Sequence, residues 1–114
     1  MDKISFDFKG RTAIVTGGAQ GFGLDITKRL ISSGASVIIW DNDKKMVENA
    51  IEDIKSPNLS FNIVDISNYS KVAECVQEIT KQKNIDILIN NAGITGPTAT
   101  YGNMILRCGK RLLI

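Results

Sequence analysis

A glycine-rich turn between a strand-like run and a helix-like run constrains this chain more than any other feature. Arg11-Thr12-Ala13-Ile14-Val15 reads as a buried parallel strand, Thr16-Gly17-Gly18-Ala19-Gln20-Gly21-Phe22-Gly23 as the turn, and Leu24-Asp25-Ile26-Thr27-Lys28-Arg29-Leu30-Ile31 as a helix. The first N–H groups of such a helix lack intrahelical acceptors, and the helix dipole favours negative charge beside them. Glycines let an anion approach the backbone and let helix and strand pack closely. The turn therefore has the form of a phosphate cradle. The plain alternative is a tight strand–helix turn that holds no ligand.

The alternation then repeats. The first strand is expected over about 11–16 and the first helix over about 21–33, with Gly34 as its stop. Ser36-Val37-Ile38-Ile39-Trp40 forms a second strand, and Asp43 is a plausible N-cap for a helix whose apolar positions are Met46, Val47, Ala50, Ile51 and Ile54. Pro57 punctuates, and Leu59-Ser60-Phe61-Asn62-Ile63-Val64 is a third strand. Ser67 is the expected cap of a third helix with Val72, Cys75, Val76 and Ile79 inward; Ile85-Asp86-Ile87-Leu88-Ile89 is a fourth strand. Strands alternating with helices predict right-handed crossovers, a parallel sheet and the α/β class. After Gly96-Pro97 the alternation stops, so 1–97 reads as one partial domain and 98–114 as an atypical tail.

Composition narrows the function. The chain has 114 residues, enough for one small domain, and a net charge of +2. Residues 1–98 carry 11 basic and 12 acidic side chains, whereas 99–114 carry Arg107, Lys110 and Arg111 and no acid. No basic stripe is interleaved with aromatics, so a nucleic-acid partner is not expected. Two cysteines, Cys75 and Cys108, and no histidine argue against a metal site, a disulfide framework and histidine-based catalysis. No signal pattern and no apolar run long enough to span a bilayer are present, so the expected location is cytoplasmic, away from membranes.

Three further signals fall at strand ends. Asp41 closes the second strand, where a carboxylate can accept from both ribose hydroxyls of an adenosine and would repel a 2′-phosphate. No Arg or Lys occupies position 40 or 42, and position 20 is Gln, which favours NAD over NADP. Asp65 and Ile66 close the third strand, where Asp65 could accept from an adenine amino group and Ile66 could pack on the ring. Asn90-Asn91-Ala92-Gly93 closes the fourth, where the amides can tie loops together and Gly93 permits close backbone approach. Each of the three has an ordinary reading as a turn.

Together these segments resemble the short-chain dehydrogenase/reductase family. Thr16-Gly17, three residues, then Gly21-Phe22-Gly23 is similar to its cofactor turn, and Asn90-Asn91-Ala92-Gly93 to its second signature. The lead-in Phe8-Lys9-Gly10-Arg11-Thr12-Ala13 has the same look, so the match covers 6–97. The resemblance implies a Rossmann-like doubly wound parallel sheet, here truncated after about four strands, and hydride transfer between a nicotinamide and a carbonyl or alcohol carbon. It implies that Gly17, Gln20, Gly21, Phe22 and Gly23 line the pyrophosphate. It gives Asp41 the ribose, Asp65 and Ile66 the adenine, and Asn90, Asn91, Ala92 and Gly93 the rest of the cofactor.

The resemblance also implies residues that this sequence lacks. The family's chemistry uses a Tyr-x-x-x-Lys pair, in which lysine lowers the pKa of a tyrosine acid/base. Here Tyr69 is followed four residues on by Ala73 and Tyr101 by Ile105, so no catalytic residue carries over. Family members are about twice as long and are usually homo-oligomers, through helices not present here. Residues 101–114 are read as a frameshift product, because a one-nucleotide shift in a back-translation yields a string similar to the family's next segment; the alternative is a genuine short product or a sequence cut early. Such a chain is expected to be poorly soluble and to bind NAD weakly or not at all. Three readings stand: an NAD-dependent oxidoreductase acting on a small-molecule substrate such as a 3-oxoacyl group or a sugar acid, a non-catalytic nucleotide-binding module, and an inert fragment.

Overall fold

A computed structural model describes residues 7–91 of the chain. In chain order the elements are β1 (Thr12–Thr16), α1 (Gly21–Ser32), β2 (Ser36–Asp41), α2 (Lys44–Ile54), β3 (Leu59–Ile63), α3 (Tyr69–Thr80) and β4 (Ile87–Asn90). The strands form a single sheet in the order β3-β2-β1-β4, and every pairing is parallel. The order reverses between β1 and β4, after the chain has stepped outward from β1 to β2 to β3. This is the doubly wound α/β arrangement that the alternating pattern predicts, with four strands among the described residues.

Alternation along each strand sends side chains to two cores. Ala13, Val15, Val37, Ile39 and Ile87 meet Leu30 of α1 and Val47 and Ala50 of α2 on one face. Ile14, Ile38, Trp40 and Leu88 meet Val72 and Val76 of α3 on the other. Because both faces are covered, β1 is buried throughout and reads as an apolar run rather than an alternation. Trp40 is the largest fully buried side chain, and its indole N–H donates to Asn62 Oδ1 at 3.0 Å. Truncating an aromatic so buried costs about 3–5 kcal/mol. Its neighbour Asp41 therefore rides on one of the most firmly held points of the sheet. The outer strand β3 is covered less well, and Phe61 and Ile63 stay exposed.

Helix boundaries follow their local chemistry. Asp43 caps α2 as expected, its Oδ1 accepting from Met46 N at 3.2 Å. Gly34, in the left-handed region at φ 97°, follows the C-cap Ser33 and turns the chain into β2. Two expectations are corrected. The cap of α3 is Asn68, whose Oδ1 accepts from Lys71 N at 3.2 Å; the Ser67 hydroxyl is already donated to Asp65 at 2.7 Å. The fourth strand starts at Ile87 rather than Ile85, because the Asp86 side chain replaces part of the ladder. Asp86 Oδ2 accepts from Thr12 N at 3.0 Å and its own N–H donates to Thr12 O at 2.9 Å. The expected tail, 98–114, lies outside the described residues.

Candidate functional site

Parallel strands present all their carboxyl ends along one edge of the sheet, and the crevice at the reversal of strand order lies between β1 and β4. The glycine turn rises from β1 at this place. Gly17 N donates to Trp40 O at 2.7 Å, which carries the β1–β2 ladder one residue past the strand. Gly17 and Gly21 both take positive φ, 65° and 57°, a region where a Cβ is strained. The turn then folds onto its own helix. A Cβ on Gly23 would lie 2.0 Å from Gly17 O, and one on Gly18 would lie 2.9 Å from Val15 O. The Thr27 hydroxyl, buried on the inner face of α1, donates to Gly18 O at 3.2 Å and fixes this fold-back.

The start of α1 is distinctive. Gln20 sits at the N-cap with extended backbone and makes no side-chain cap. The first helical bond runs from Leu24 N to Gln20 O at 3.2 Å, so the N–H groups of Gly21, Phe22 and Gly23 precede the intrahelical ladder. Gln20 and Gly21 are exposed, and Phe22 is 80% exposed on the same turn. An anion of pyrophosphate size fits such a turn chemically, since its oxygens need donors and the turn supplies backbone N–H groups with no Cβ in the way.

At the end of β2, Asp41 is only 7% exposed. Its Oδ1 accepts from Asp43 N at 3.1 Å, while Oδ2 is buried with no hydrogen-bond partner among the described residues. A buried acceptor left unmatched costs about 1–3 kcal/mol, and more when charged. Such an oxygen fits a hydroxyl donor from a ligand.

Asp65 and Ile66 leave β3 beside Asp41, since Val64 N donates to Asp41 O at 3.1 Å. Asp65 is exposed, and its Oδ1 accepts from both the hydroxyl and the N–H of Ser67. Those two donors, the hydroxyl first, hold its carboxyl below the ordinary carboxylate value. Ile66 is half-buried and packs against the Trp40–Val64 cluster, so part of its surface is already spent on the core.

On the other side of β1, Asn90 pairs in register with Thr16 and is half-buried. Asn91 N donates to Thr16 Oγ1 at 2.9 Å, and Asn91 Nδ2 donates to Gly17 O at 3.4 Å. Ala92 and Gly93 lie outside the described residues. The structure thus brings Gly17, Gln20–Gly23, Asp41, Asp65, Asn90 and Asn91 to one edge. It also adds two residues to which the sequence reading gave no role. Thr16, fully buried, donates to Ile89 O at 3.3 Å while accepting from Asn91 N, and so ties β4 to the root of the turn. Thr27 is the second. Its signal in the sequence is a hydroxyl at an inward position of an otherwise apolar helix face.

The chain is similar to known proteins over this same region. The sequence model of the short chain dehydrogenase family matches residues 11–104. A 3-oxoacyl-[acyl-carrier-protein] reductase of Chlamydia pneumoniae is 43% identical over 89 residues, covering 75% of this chain and 36% of the relative. Among solved structures, a 3-ketoacyl-(acyl-carrier-protein) reductase from Brucella melitensis, complexed with NADH, is 36% identical with a TM-score of 0.70, over 77% of this chain and 36% of that one. A Pseudomonas aeruginosa RhlG/NADP active-site complex is 29% identical with a TM-score of 0.69, over 87% and 40%. The chain therefore spans little more than a third of the length of these relatives. Family match, identity and fold agree, and the chain belongs to the short-chain dehydrogenase/reductase family.

Proposed function

We propose that this chain is the cofactor-holding part of an NAD-dependent oxidoreductase of the short-chain dehydrogenase type. The observation that carries the reading is Asp41: a buried carboxylate whose Oδ2 lacks a partner among the described residues, on the same sheet edge as an uncapped helix start. In this reading Gly17 and Gln20–Gly23 hold the pyrophosphate through backbone N–H groups. Asp41 Oδ2 accepts from the adenosine ribose, and Asp65 with Ile66 borders the adenine. Asn90, Asn91, Ala92 and Gly93 line the path towards the nicotinamide. The bound dinucleotide supplies the hydride acceptor or donor. This chain's residues bind and orient it and keep the turn and β4 in fixed relation through Thr16 and Asn91.

A 2′-phosphate beside Asp41 would face a like charge in a site shielded from water, where repulsion is strong. That supports NAD rather than NADP. The proton-transferring pair is a separate matter, because neither Tyr69 nor Tyr101 has a lysine four residues on. Binding without turnover is therefore the expected behaviour of the 114-residue chain. The substrate class favoured is a 3-oxoacyl group or a sugar acid. Amide NMR of the labelled chain, titrated separately with NADH and NADPH, tests the reading. Shifts in Gly17, Gly21–Gly23 and Asp41 at lower NADH than NADPH concentrations support it. Equal responses, or a preference for NADPH, overturn the choice of NAD, and no response to either overturns the function.

A further inference from the structure

The two oxygens of Asp41 have unequal fates, and the difference originates two residues along the chain. Oδ1 accepts from the backbone N–H of Asp43 at 3.1 Å, and Oδ2 is buried with no partner among the described residues. Asp43 is itself fixed, because its side chain caps α2 through Met46 N at 3.2 Å. On its other side, Asp41 O accepts from Val64 N at 3.1 Å, which immobilises the backbone from which the carboxylate springs. The carboxylate is thus held by one oxygen to the first residue of a helix-capping unit, at a site 7% exposed.

We propose that the backbone N–H of Asp43 is a specificity-determining clamp. It denies the Asp41 carboxylate the rotation that would relieve repulsion from a 2′-phosphate, and so sets discrimination between the two nicotinamide dinucleotides. The proposal rests on the function proposed above and deepens it. A free aspartate side chain has several staggered rotamers and can swing a charge away from an incoming phosphate. A clamped one cannot, so the phosphate meets the full like-charge penalty, while a ribose diol meets an acceptor ordered in advance. Asp43 acts here through Asp41 and contributes its main chain, not its side chain.

The two functions of Asp43 can be separated. Asp43→Ala removes the helix cap and keeps the N–H. Asp43→Pro removes both, so the pair differs in the clamp. The readout is the ratio of the NADPH and NADH dissociation constants, measured by amide NMR on the full chain. The ratio is expected to stay within about twofold of the parent in Asp43→Ala and to fall about fivefold in Asp43→Pro, the loss associated with one hydrogen bond. If the proline variant does not fold, an ester in place of the peptide bond between residues 42 and 43 deletes the same N–H without a ring, and the same fall is expected. A parent-like ratio in whichever N–H-deleted chain folds overturns the clamp while leaving NAD binding intact. A fall of equal size in Asp43→Ala overturns it too, since helix capping alone would then explain the effect. If the parent binds neither nucleotide, the function fails, and the clamp with it.

Discussion

The three helices among the described residues begin in two different ways. The starts of α2 and α3 are each closed by a side-chain amide or carboxylate, Asp43 accepting from Met46 N and Asn68 from Lys71 N, both at 3.2 Å. The start of α1 has an extended Gln20 that caps nothing, flanked by positive-φ glycines at 17 and 21. A side-chain cap is worth about 1 kcal/mol. α2 and α3 take that stabilisation from within the chain, whereas α1 starts without a side-chain cap, at the carboxyl-end edge of the sheet. The compensation comes from packing, as Gly23 against Gly17 and the Thr27 hydroxyl on Gly18 hold the turn in place of a cap.

The packing that substitutes for a cap is the most sensitive point of this contrast. Gly23→Ala would place a Cβ 2.0 Å from the Gly17 carbonyl and 2.7 Å from Asn91 Nδ2. Backbone cannot yield there as a flexible side chain would, so the turn must move away from α1. Overpacking of this kind costs about 1–3 kcal/mol, and the displaced turn no longer aims its N–H groups together. The expected result is a clear fall in denaturant midpoint together with loss of the NADH-dependent amide shifts. Gly21→Ala is the control. Its Cβ meets nothing within 4 Å, so only the strain of φ 57° remains, about 1–2 kcal/mol. Equal damage from both would show that the close approach of helix and turn does not matter.

A smaller intervention reverses the contrast by giving α1 what the other helices have. Gln20→Asp supplies a side-chain acceptor and a negative charge at the helix start, which together favour the free chain by about 0.5–2 kcal/mol. The same charge occupies the place assigned to a phosphate, so NADH binding should weaken at least tenfold while thermal stability rises. Asn68→Ala is the mirror image, lowering stability by about 1 kcal/mol and leaving nucleotide binding unchanged. A Gln20→Asp chain that gains stability and binds NADH as the parent does would remove the anion site from the start of α1.

The same contrast separates what was legible in the sequence from what was not. The glycine turn, the Asp43 cap and the inward positions of α2 and α3 depend on local geometry, and their residue types announce them. Ser67 and Asn68 are both good caps in isolation. The choice between them is made by Asp65, which takes the Ser67 hydroxyl and leaves Asn68 to start α3. Likewise, Ile85 is fully buried yet precedes β4, because Asp86 answers the N–H of Thr12, 74 residues away. The role of Thr16 is not local for the same reason: its partners, Ile89 O and Asn91 N, lie across the sheet. The site residues were legible as types at strand ends. Which of their atoms are spent and which remain available is settled only when distant segments meet.

Asp65 and Asp41 bring that distinction down to two carboxylates that end neighbouring strands. Asp65 has its Oδ1 satisfied by Ser67, within its own turn, whereas Asp41 Oδ2 is unmatched among the described residues. The Ser67 hydroxyl, followed by the Ser67 N–H, favours the charged form of Asp65 and lowers its pKa. A carboxyl whose folded value is depressed adds stability above its unfolded value, and that contribution is lost as pH falls through the folded value. The relevant window is thus the acid limb, from about pH 4 downward. Ser67→Ala deletes the larger of the two donors, so the Asp65 midpoint should move back up towards the ordinary value, and the loss of stability between neutral and acid pH should shrink. Because Asp65 is fully exposed, water screens the effect, and this is the smallest of the changes anticipated here. Side-chain carboxyl NMR against pH measures it directly. An Asp65 midpoint that does not move in Ser67→Ala would mean that its carboxylate is not held by this turn and is as available to a ligand as that of Asp41.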